Sequence, residues 1–489
     1  MSLQAHAQPL LPLDGAPSRP KISRLLRHHV LTACLTGLIQ GYDLCVIASI
    51  LMPVQRELQL CPHCAADNSD AALAHCSCPI KQLAVSACHI GAMVGALFGG
   101  LLSDAIGRRT ALVGTDICFL FSAALMALAS SDVYGQAQFF AGRAIGGLGL
   151  GAAGAISSAY IAEIAPAAYR GTLVQLNTFA LCSGCLLAYL VSLALGDSMW
   201  RWTVAVSLLM AATQLLLLGT LYESPRWLQQ RGRLKQAHMA AAALGLTPPA
   251  AQKVVANEDH GDKVLGAETA APRNGNGILH AACRPLLSRA NRKQLLLALG
   301  IAFAHGASGA NAVLYYSRDV LSLAGLASSQ ARLANAGVGL VKFIGAALST
   351  CAVDRIGRRP LLIGGTLTMA LGHLGLGTAL GVMSDGSGGL QPLLALASLV
   401  IFILAWNLSW AGLMLTMASE LLPQEIRGIG CGLAYSVFWL LSFLISSTLE
   451  TTFELIGTGA TFGLYTCATL LALVFVGICV PETNGVALS

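Results

Sequence analysis

Residues 103–109 read SDAIGRR, and residues 353–359 read VDRIGRR. Each segment ends an apolar run, so an acid and an Arg-Arg pair stand where an apolar helix is expected to stop. A second motif, Glu-x-x-Pro-x-x-x-Arg-Gly, also occurs twice, at 163–171 and at 420–428. The two copies of each motif are about 250 to 260 residues apart and come in the same order. The chain is therefore predicted to be a duplication of one unit.

The composition indicates that both units lie in a membrane. Of the 489 residues, 55% are hydrophobic and 11% are charged, whereas about 25% of the residues of a soluble domain are charged. A helix of about 20 apolar residues spans a bilayer. Twelve such stretches are predicted, at 30–55, 82–103, 110–131, 143–161, 172–195, 203–221, 294–317, 333–353, 360–384, 393–419, 428–449 and 458–480. The predicted fold class is an all-α membrane protein with twelve transmembrane helices in two six-helix halves.

The placement of positive charge predicts the orientation. The protein has a formal net charge of +6, and residues 222–293 contain eleven Lys or Arg against five Asp or Glu. Such a segment could bind nucleic acid, but a cytoplasmic loop explains it more simply, because Lys and Arg favour cytoplasmic loops. The arginines of both motifs fall on the same side, so both termini are predicted to be cytoplasmic. The cations that fall on the other side are Arg56, Lys81, Arg201 and Arg318.

Five segments are predicted from this pattern. They are a disordered cytoplasmic tail at 1–28, a six-helix bundle at 29–221, a cytoplasmic linker with short helices at 222–293, a second six-helix bundle at 294–482 and a short cytoplasmic tail at 483–489. Residues 256–278 of the linker are predicted to form a flexible loop. Secondary transporters are commonly built from such repeats and bind substrate between them. The sequence has no Walker motif, which argues against an ATP-driven pump.

These motifs resemble those of the sugar porter family of the major facilitator superfamily. The resemblance covers nearly all of 30–485 and includes ESPRW at 223–227, SGAN at 308–311, Tyr315-Tyr316 and PET at 481–483. Within the family, the chain resembles the facilitative glucose transporters that have a lysine in the eighth span, here Lys342. The resemblance implies a secondary transporter, not an enzyme, that needs no cofactor. Its expected partners are the lipid bilayer, a sugar or polyol substrate and, in the case of symport, protons.

The function implied by the resemblance is movement of a hexose or related sugar or polyol by alternating access, as a uniporter or a proton symporter. The plasma membrane is the expected location, with an endomembrane as the alternative. Two rival functions remain because the seventh and tenth spans are altered. One is a non-transporting sugar sensor on the same fold, and the other is a carrier of the same fold for an organic ion.

The resemblance assigns a gating role to the charged motifs. Arginine–carboxylate pairs joined by two parallel hydrogen bonds have a specific geometry, and in the family such pairs hold the two halves together on the cytoplasmic face when the site opens outward. The alternative is a set of ordinary surface ion pairs, which contribute little to stability. The implied gating residues are Asp104, Arg108, Arg109, Glu163, Arg170, Glu223, Arg226, Tyr315, Tyr316, Asp354, Arg358, Arg359, Glu420, Arg427 and Glu482.

Two ionisable residues lie within spans of the first half, Asp43 in the first span and Arg143 in the fourth. Charge inside a membrane is costly and usually functional. Gly41-Tyr-Asp43 resembles proton-coupled sugar porters, in which the acid lies near the arginine of the fourth span. Proton coupling and a static buried ion pair both remain open for these two residues. His89 and Asp116 also lie within spans, and His89 is interpreted as a packed, hydrogen-bonded residue.

The sugar site departs from the family pattern. The seventh span of the family begins with two glutamines, and His305-Gly306 stands in their place here. The stacking tryptophan of the tenth span is replaced by Leu415, and the helix-breaking Gly-Pro pairs become Ala411-Gly412. The remaining polar residues, which are expected to bind substrate, are Thr178, His305, Asn311, Lys342, Asn407 and Ser442. This set can hold a polar small molecule.

Lys342 has two interpretations, because a charge in the centre of a span needs a partner. In one interpretation it binds substrate or balances the charge of the cavity, and so selects an anionic or strongly polar solute. In the other it is a structural partner of a carbonyl group or a helix end.

Four cysteines cluster in the predicted external loop at 53–79, namely Cys61, Cys64, Cys76 and Cys78. The Cys-x-x-Cys and Cys-x-Cys spacings resemble a zinc site. A loop outside the cytoplasm is, however, where disulfides form. At least one disulfide is therefore predicted, with metal binding and free thiols as the alternatives.

Overall fold

The computed structural model describes residues 22–62, 78–166, 169–246, 288–383, 390–423 and 425–483. These ranges are almost entirely helical and contain no β-strand. Residues 1–21 and 484–489 of the predicted tails, the predicted loop at 256–278 and the cysteines Cys64 and Cys76 lie outside the described residues.

Seventeen α-helices occupy the described ranges. The first half contains α1 (Arg24–Glu57), α2 (Pro79–Ile106), α3 (Arg108–Ala127), α4 (Val133–Ile164), α5 (Arg170–Leu195) and α6 (Trp200–Leu218). Two short helices follow, α7 (Pro225–Gln230) and α8 (Leu234–Leu244). The second half contains α9 (Arg289–Ala307), α10 (Ala310–Tyr315), α11 (Ser317–Leu323), α12 (Ser328–Ile356), α13 (Arg358–Gly381), α14 (Leu390–Leu408), α15 (Trp410–Leu421), α16 (Arg427–Ile456) and α17 (Thr458–Cys479).

Within the described residues, twelve helical segments are long and apolar enough to cross a membrane. Ten of them correspond to single helices, apart from one short turn before α6. The seventh, Asn291–Tyr315, combines α9 with α10, and the tenth, Leu390–Leu421, combines α14 with α15. The predicted fold class of twelve transmembrane helices is therefore confirmed.

Two spans are broken near their middle. The seventh span breaks between α9 and α10, where Gly309 has a φ of 70° in the left-handed region. The tenth span breaks at Ser409, which is buried and whose hydroxyl donates to the Ala405 carbonyl at 2.7 Å. Irregular backbone is tolerated at membrane depth when protein surrounds it. The tenth span thus breaks before Ala411-Gly412, although the Gly-Pro pairs of the family are absent.

Helix starts differ from the sequence prediction where a cap was overlooked. The first span begins at Arg24, inside the predicted tail, because the Ser23 hydroxyl accepts from the Leu26 N–H at 3.0 Å. The fourth span begins at Val133 rather than at 143, because the Asp132 carboxylate accepts from the Gly135 N–H at 2.8 Å. Hydrogen bonds from Ser130 and Gly135 hold the pKa of Asp132 below its ordinary value.

The halves are packed internally through glycine and meet each other mainly along two helix pairs. A Cβ atom added at Gly91 of α2 would collide with the Ala144 carbonyl of α4, and one added at Gly147 would collide with the Cys88 carbonyl. This close approach of α2 and α4 is the arrangement that small residues permit in lipid. The two halves meet where α2 packs on α16 and α5 packs on α12.

The two Asp-x-x-Gly-Arg-Arg segments define one side of the molecule, which we call the motif face. They lie between α2 and α3 and between α12 and α13. The linker helix α7 also lies on this face, where Trp227 Nε1 donates to the Asp104 carbonyl at 2.8 Å. The side on which α1 ends and α2 begins is called the opposite face.

A disulfide joins Cys61 to Cys78 on the opposite face. Cys78 also caps α2, because its sulfur accepts from the Lys81 N–H at 3.4 Å. The bond closes a loop of 17 residues and so ties the end of α1 to the start of α2.

Non-reducing mass spectrometry of the purified protein should find a peptide that contains Cys61 linked to one that contains Cys78. Loops of this size contribute about 3 kcal/mol when closed, so the Cys61→Ser, Cys78→Ser double variant should also denature at a lower temperature. Four alkylated thiols in the loop, or a Cys61–Cys64 bond, would contradict this pairing.

Candidate functional site

Lys342 lies at the boundary between the two halves. It is on α12 of the second half and is 1% exposed. Its Nζ atom lies 3.1 Å from the Cys185 sulfur and 3.6 Å from the Cys45 sulfur, both of which belong to the first half. The Trp406 ring of α14 lies 5.3 Å from the same atom, which is within the range of a cation–π contact. The lysine therefore connects α12 with α1, α5 and α14.

His305 contacts the same tryptophan. Trp406 Nε1 donates to His305 Nε2 at 2.8 Å, and the imidazole stacks on Phe438 with ring centroids 4.5 Å apart. His305 Nδ1 is buried and has no hydrogen-bond partner among the described residues. A buried polar atom without a partner in the protein is a candidate ligand contact.

One face of α5 lines this region. Thr178, Cys182 and Cys185 share that face because residues three and four apart lie above one another on a helix. The Cys182 sulfur lies 4.0 Å from Asn407 Oδ1, and Asn407 Nδ2 donates to the Ile403 carbonyl at 2.8 Å. Thr178 is half-buried and lies one turn nearer the motif face.

The last two predicted substrate residues form a separate polar pair. Asn311 of α10 donates from Nδ2 to the Ser442 hydroxyl of α16 at 2.9 Å. The structure thus gathers Lys342, His305 and Asn407 around Trp406, and places the pair of Asn311 and Ser442 within the second half.

Asp43 and Arg143 are neighbours, but the carboxylate is not the contact between them. Arg143 Nη1 donates to the backbone carbonyl of Asp43 at 3.3 Å, and Nη2 donates to the Val85 carbonyl at 3.5 Å. Asp43 is 1% exposed, and neither of its carboxylate oxygens has a hydrogen-bond partner among the described residues. The two residues are close enough to interact, yet they do not form an ion pair in this conformation.

His89 and the two tyrosines meet at the contact of α2 with α16. His89 Nδ1 lies 3.4 Å from the Ser446 hydroxyl, and its ring centroid lies 5.2 Å from that of Tyr315. The Tyr316 hydroxyl donates to the Ser446 carbonyl at 3.3 Å. The structure therefore places His89 in a packed, hydrogen-bonded position that joins the halves.

On the motif face of the first half, Glu223 caps α3. Its carboxylate accepts from the backbone N–H groups of Arg108 at 2.9 Å and Arg109 at 3.1 Å, where the helix dipole favours an anion. Gly107 precedes them with a φ of 105°, and a Cβ atom there would collide with the Glu223 carboxylate. The glycine of the motif is required for this turn and for the approach of the acid.

The arginine side chains extend the same network within the first half. Arg108 Nη2 lies 3.0 Å from a Glu163 carboxylate oxygen and 2.7 Å from an Asp104 oxygen. Arg109 Nε donates to the Leu218 carbonyl at the end of α6, at 2.8 Å.

The second half repeats the arrangement. Glu482 accepts from the N–H groups of Arg358 at 3.1 Å and Arg359 at 3.0 Å. Arg358 Nη2 lies 3.5 Å from Glu420, and Arg359 donates to the Gly477 carbonyl at the end of α17. Each of these pairs joins residues of one half, so in this conformation the pairs tie helix ends together within a half.

The remaining motif arginines each bind a backbone carbonyl of their own half. Arg170 Nε donates to the Ala162 carbonyl at 3.0 Å, and Arg427 Nε donates to the Leu422 carbonyl at 3.1 Å. Arg226 is exposed. The Asp354 side chain lies outside the described part of the structure.

Comparison with known proteins identifies the family. The family model for sugar (and other) transporters matches residues 29–489. The chain belongs to this family of transporters. The D-xylose-proton symporter of Escherichia coli (strain K12) is 30% identical over 487 residues, which cover 93% of this chain and 92% of the symporter. The probable inositol transporter 2 of Arabidopsis thaliana is 27% identical, and the alignment covers 93% of this chain and 88% of that transporter.

A solved structure agrees with this assignment. The xylose transporter XylE from E. coli, in a partially occluded inward-open conformation, superimposes with a TM-score of 0.76 at 28% identity. The match covers 95% of this chain and 100% of that chain. The protein is thus a multi-pass membrane transporter of the sugar transporter family that works by alternating access, and it is not an enzyme.

The opposite face of the transporter is closed by ion pairs between the halves. Lys81 of α2 lies 2.7 Å from Glu450 of α16 and 3.1 Å from Asp319 of α11. The Lys81 side chain is 0% exposed and both carboxylates are 6% exposed. A cation of the first half is therefore held between two anions of the second half.

A second group on this face has the signs reversed. Asp197, which lies between α5 and α6, is 2.7 Å from Arg318 of α11 and 3.5 Å from Arg332 of α12. Arg318 also donates to the Ser49 carbonyl of α1 at 3.0 Å. An anion of the first half is held between two cations of the second half. We call the two groups together the crossing ion pairs.

The crossing ion pairs were not found from the sequence. Lys81 and Arg318 stood out there only as exceptions to the positive-inside rule, and Arg201, a third exception, pairs with Glu57 within the first half. Lys81, Arg201 and Arg318 are tolerated on this side because each of them has a carboxylate partner. The sequence does show acidic residues near the ends of other spans. It does not show which cation each acid pairs with, because the two members of a pair are far apart in the chain.

Arg109→Ala and Arg359→Ala should each lower the rate of transport without preventing membrane insertion. Each arginine binds carbonyl groups at the end of the last span of its half, so its loss loosens that half. A charge-assisted hydrogen bond contributes about 1.5–3 kcal/mol, and uptake into proteoliposomes should fall by about tenfold. Lys235→Ala, which removes an exposed cation of α8, is the control. Normal uptake by both arginine variants would refute a role in the cycle.

Asp197→Asn should make the opposite face open more readily, because it leaves two arginines without their carboxylate. Removing one partner of a fully buried pair costs about 3–5 kcal/mol. Because the Asp197 side chain is 20% exposed, we expect the conformational equilibrium to shift by at least about tenfold. Hydrogen–deuterium exchange should become faster in the amides at 79–85 and 450–456.

The matched control is Glu57→Gln, which breaks an ion pair of the same face that lies within one half. It should leave exchange at 450–456 unchanged. Equal exchange there in wild type and Asp197→Asn would show that the crossing ion pairs do not hold this face closed.

Proposed function

We propose that the transporter moves a monosaccharide or a related polyol together with a proton across the plasma membrane. Relatives whose names report D-xylose–proton symport and inositol transport support the choice of substrate and of coupling ion. In this proposal both termini and the motif face are cytoplasmic, because the motif arginines lie on one face and Lys and Arg favour the cytoplasmic side. The opposite face is then the external one.

The proposed substrate site is the group of polar side chains around Trp406. Lys342, His305 and Asn407 contact it or adjoin it, and Thr178 lies on the facing side of α5. The proposal also includes the separate polar pair of Asn311 and Ser442. An indole ring beside a few well-placed polar groups is a common composition for a small-molecule site.

The observation that supports proton coupling is the Asp43 carboxylate, which has no hydrogen-bond partner among the described residues. A static ion pair requires that Arg143 bind this carboxylate, and its guanidinium binds the backbone carbonyl of Asp43 instead. A buried charge without a partner is costly, and a proton taken up by Asp43 removes that cost. Geometry therefore favours proton coupling over a static pair.

The proposed cycle uses this exchange of partners. With a proton on Asp43, Arg143 can remain on the backbone carbonyls of α1 and α2, as described. When the proton leaves, the adjacent guanidinium becomes the partner of the carboxylate. This change alters the contact of α4 with α1. Helix α1 in turn adjoins Lys342, because it contains Cys45. Loss of the proton is thereby linked to the substrate site.

Asp43→Asn should abolish accumulation of sugar above equilibrium, because an amide cannot carry the proton. Exchange of labelled sugar at equal concentrations on both sides should persist, since it needs no net proton movement. Proteoliposomes with and without an inward proton gradient measure both quantities, and wild-type accumulation should disappear when a protonophore is added.

Asp116→Asn is the matched control for removing a buried carboxylate. Asp116 is also within a span, is 0% exposed and has no hydrogen-bond partner for either oxygen among the described residues. Accumulation should survive this change. Wild-type uptake that ignores both external pH and protonophores would refute symport, and loss of coupling in Asp116→Asn alone would move the coupling site away from Asp43.

A further inference from the structure

Lys342 and Lys81 are equally buried, but they differ in their partners. Lys81 lies within 3.1 Å of two carboxylates. Among the described residues, no carboxylate oxygen lies within 4.0 Å of Lys342 Nζ, and its close neighbours are the sulfurs of Cys45 and Cys185. A thiol is only a weak acceptor, and a lysine is almost never fully buried without a partner. The central ammonium therefore lacks the anion that its burial requires.

A second donor next to Trp406 also lacks an acceptor. His305 Nε2 accepts the hydrogen bond of the indole, so a neutral imidazole carries its proton on Nδ1. Nδ1 is buried and has no partner among the described residues. Two donors thus adjoin the same indole ring: an ammonium whose hydrogen-bond acceptors are thiols, and an imidazole N–H without a partner among the described residues.

An anion satisfies these donors better than a neutral hydroxyl group does. A carboxylate has about four acceptor positions and forms its strongest hydrogen bonds with charged donors. A hydroxyl group would accept a hydrogen bond from Lys342 but would leave its charge uncompensated. The Trp406 face offers an apolar surface for a sugar ring, and Asn407 adds an amide for a hydroxyl group.

We infer that the site takes an acidic monosaccharide of the hexuronate class, and that Lys342 binds its carboxylate. The inference rests on the proposed function, because it names the substrate class of the same site. The carboxylate takes the place of the two thiols around Nζ, and the ring lies against Trp406. Because the amine belongs to the second half and the thiols to the first, the substrate binds where the two halves meet.

A cysteine thiolate is the rival source of negative charge. If Cys45 or Cys185 balanced Lys342 permanently, the lysine would be structural and would not discriminate between acidic and neutral sugars. The comparison of D-glucuronate with D-glucose separates the two cases, because these sugars differ only in the group on carbon 6.

The test is uptake of labelled D-glucuronate and D-glucose by proteoliposomes that contain the full chain. Wild type should take up glucuronate in preference to glucose, and unlabelled glucuronate should inhibit glucose uptake. Lys342→Gln, which removes the charge, should lower the ratio of glucuronate to glucose uptake by at least about tenfold, since a charged partner is lost. Lys342→Arg, which keeps the charge, should retain part of that preference.

The outcomes separate this inference from the proposed function. Glucose, xylose or inositol uptake without uptake of glucuronate, and without inhibition by it, would overturn the inference and leave the proposed function standing. An unchanged ratio in Lys342→Gln would favour the thiolate and also overturn it. If no sugar is taken up or bound, the proposed function fails as well. Should the variants not insert, the wild-type comparison decides alone.

Discussion

Neutralising charge inside a membrane is the constraint on which the rest of this structure depends. The crossing ion pairs satisfy this constraint, because Lys81 and Asp197 each contact two residues of opposite charge from the other half. Opening the opposite face exchanges these contacts for water. A buried ion pair gains little net stability over solvated ions, so the closed and open conformations can lie within a few kcal/mol of each other. Two oppositely arranged groups can hold the face closed without locking it.

The motif face has a different use of charge. There Glu223 and Glu482 cap the helices that follow the motifs, and the arginines bind carboxylates and carbonyls of their own half. These contacts tie helix ends together within each half, and rigid-body rocking of two repeats around a central site is how many transporters alternate. The pairs within a half hold its shape, and the crossing ion pairs set how the halves lie relative to each other. The hydrogen bonds and ion pairs described on the motif face lie within one half. In this conformation the halves are held together on the opposite face instead.

Local signals explain what could be predicted from the sequence. The length of each apolar stretch predicts the spans, because a helix needs about 20 apolar residues to cross a bilayer. The repeated motifs predict the duplication. The early start of α4 was missed because it depends on the Asp132 cap, and the break at Ser409 was missed because it has no proline or glycine. The crossing ion pairs depend on which helix ends meet in space. Lys81 and Glu450 are in different halves, and neither residue indicates the other.

Lys342 connects the proposed substrate site to the crossing ion pairs. It lies on α12, the helix that also supplies Arg332 to the opposite face, and its amine contacts thiols of α1 and α5. The described conformation is therefore held across the halves at two depths, by the crossing ion pairs on the opposite face and by thiol contacts at the centre. A ligand that replaces the thiols changes only the weak contacts, so substrate binding can alter the balance of the halves without first breaking the ion pairs. A ligand shifts an equilibrium only by its difference in affinity for the two states. Because the thiol contacts at the centre are weak, the equilibrium between the two arrangements of the halves then depends more on the bound substrate than on these contacts.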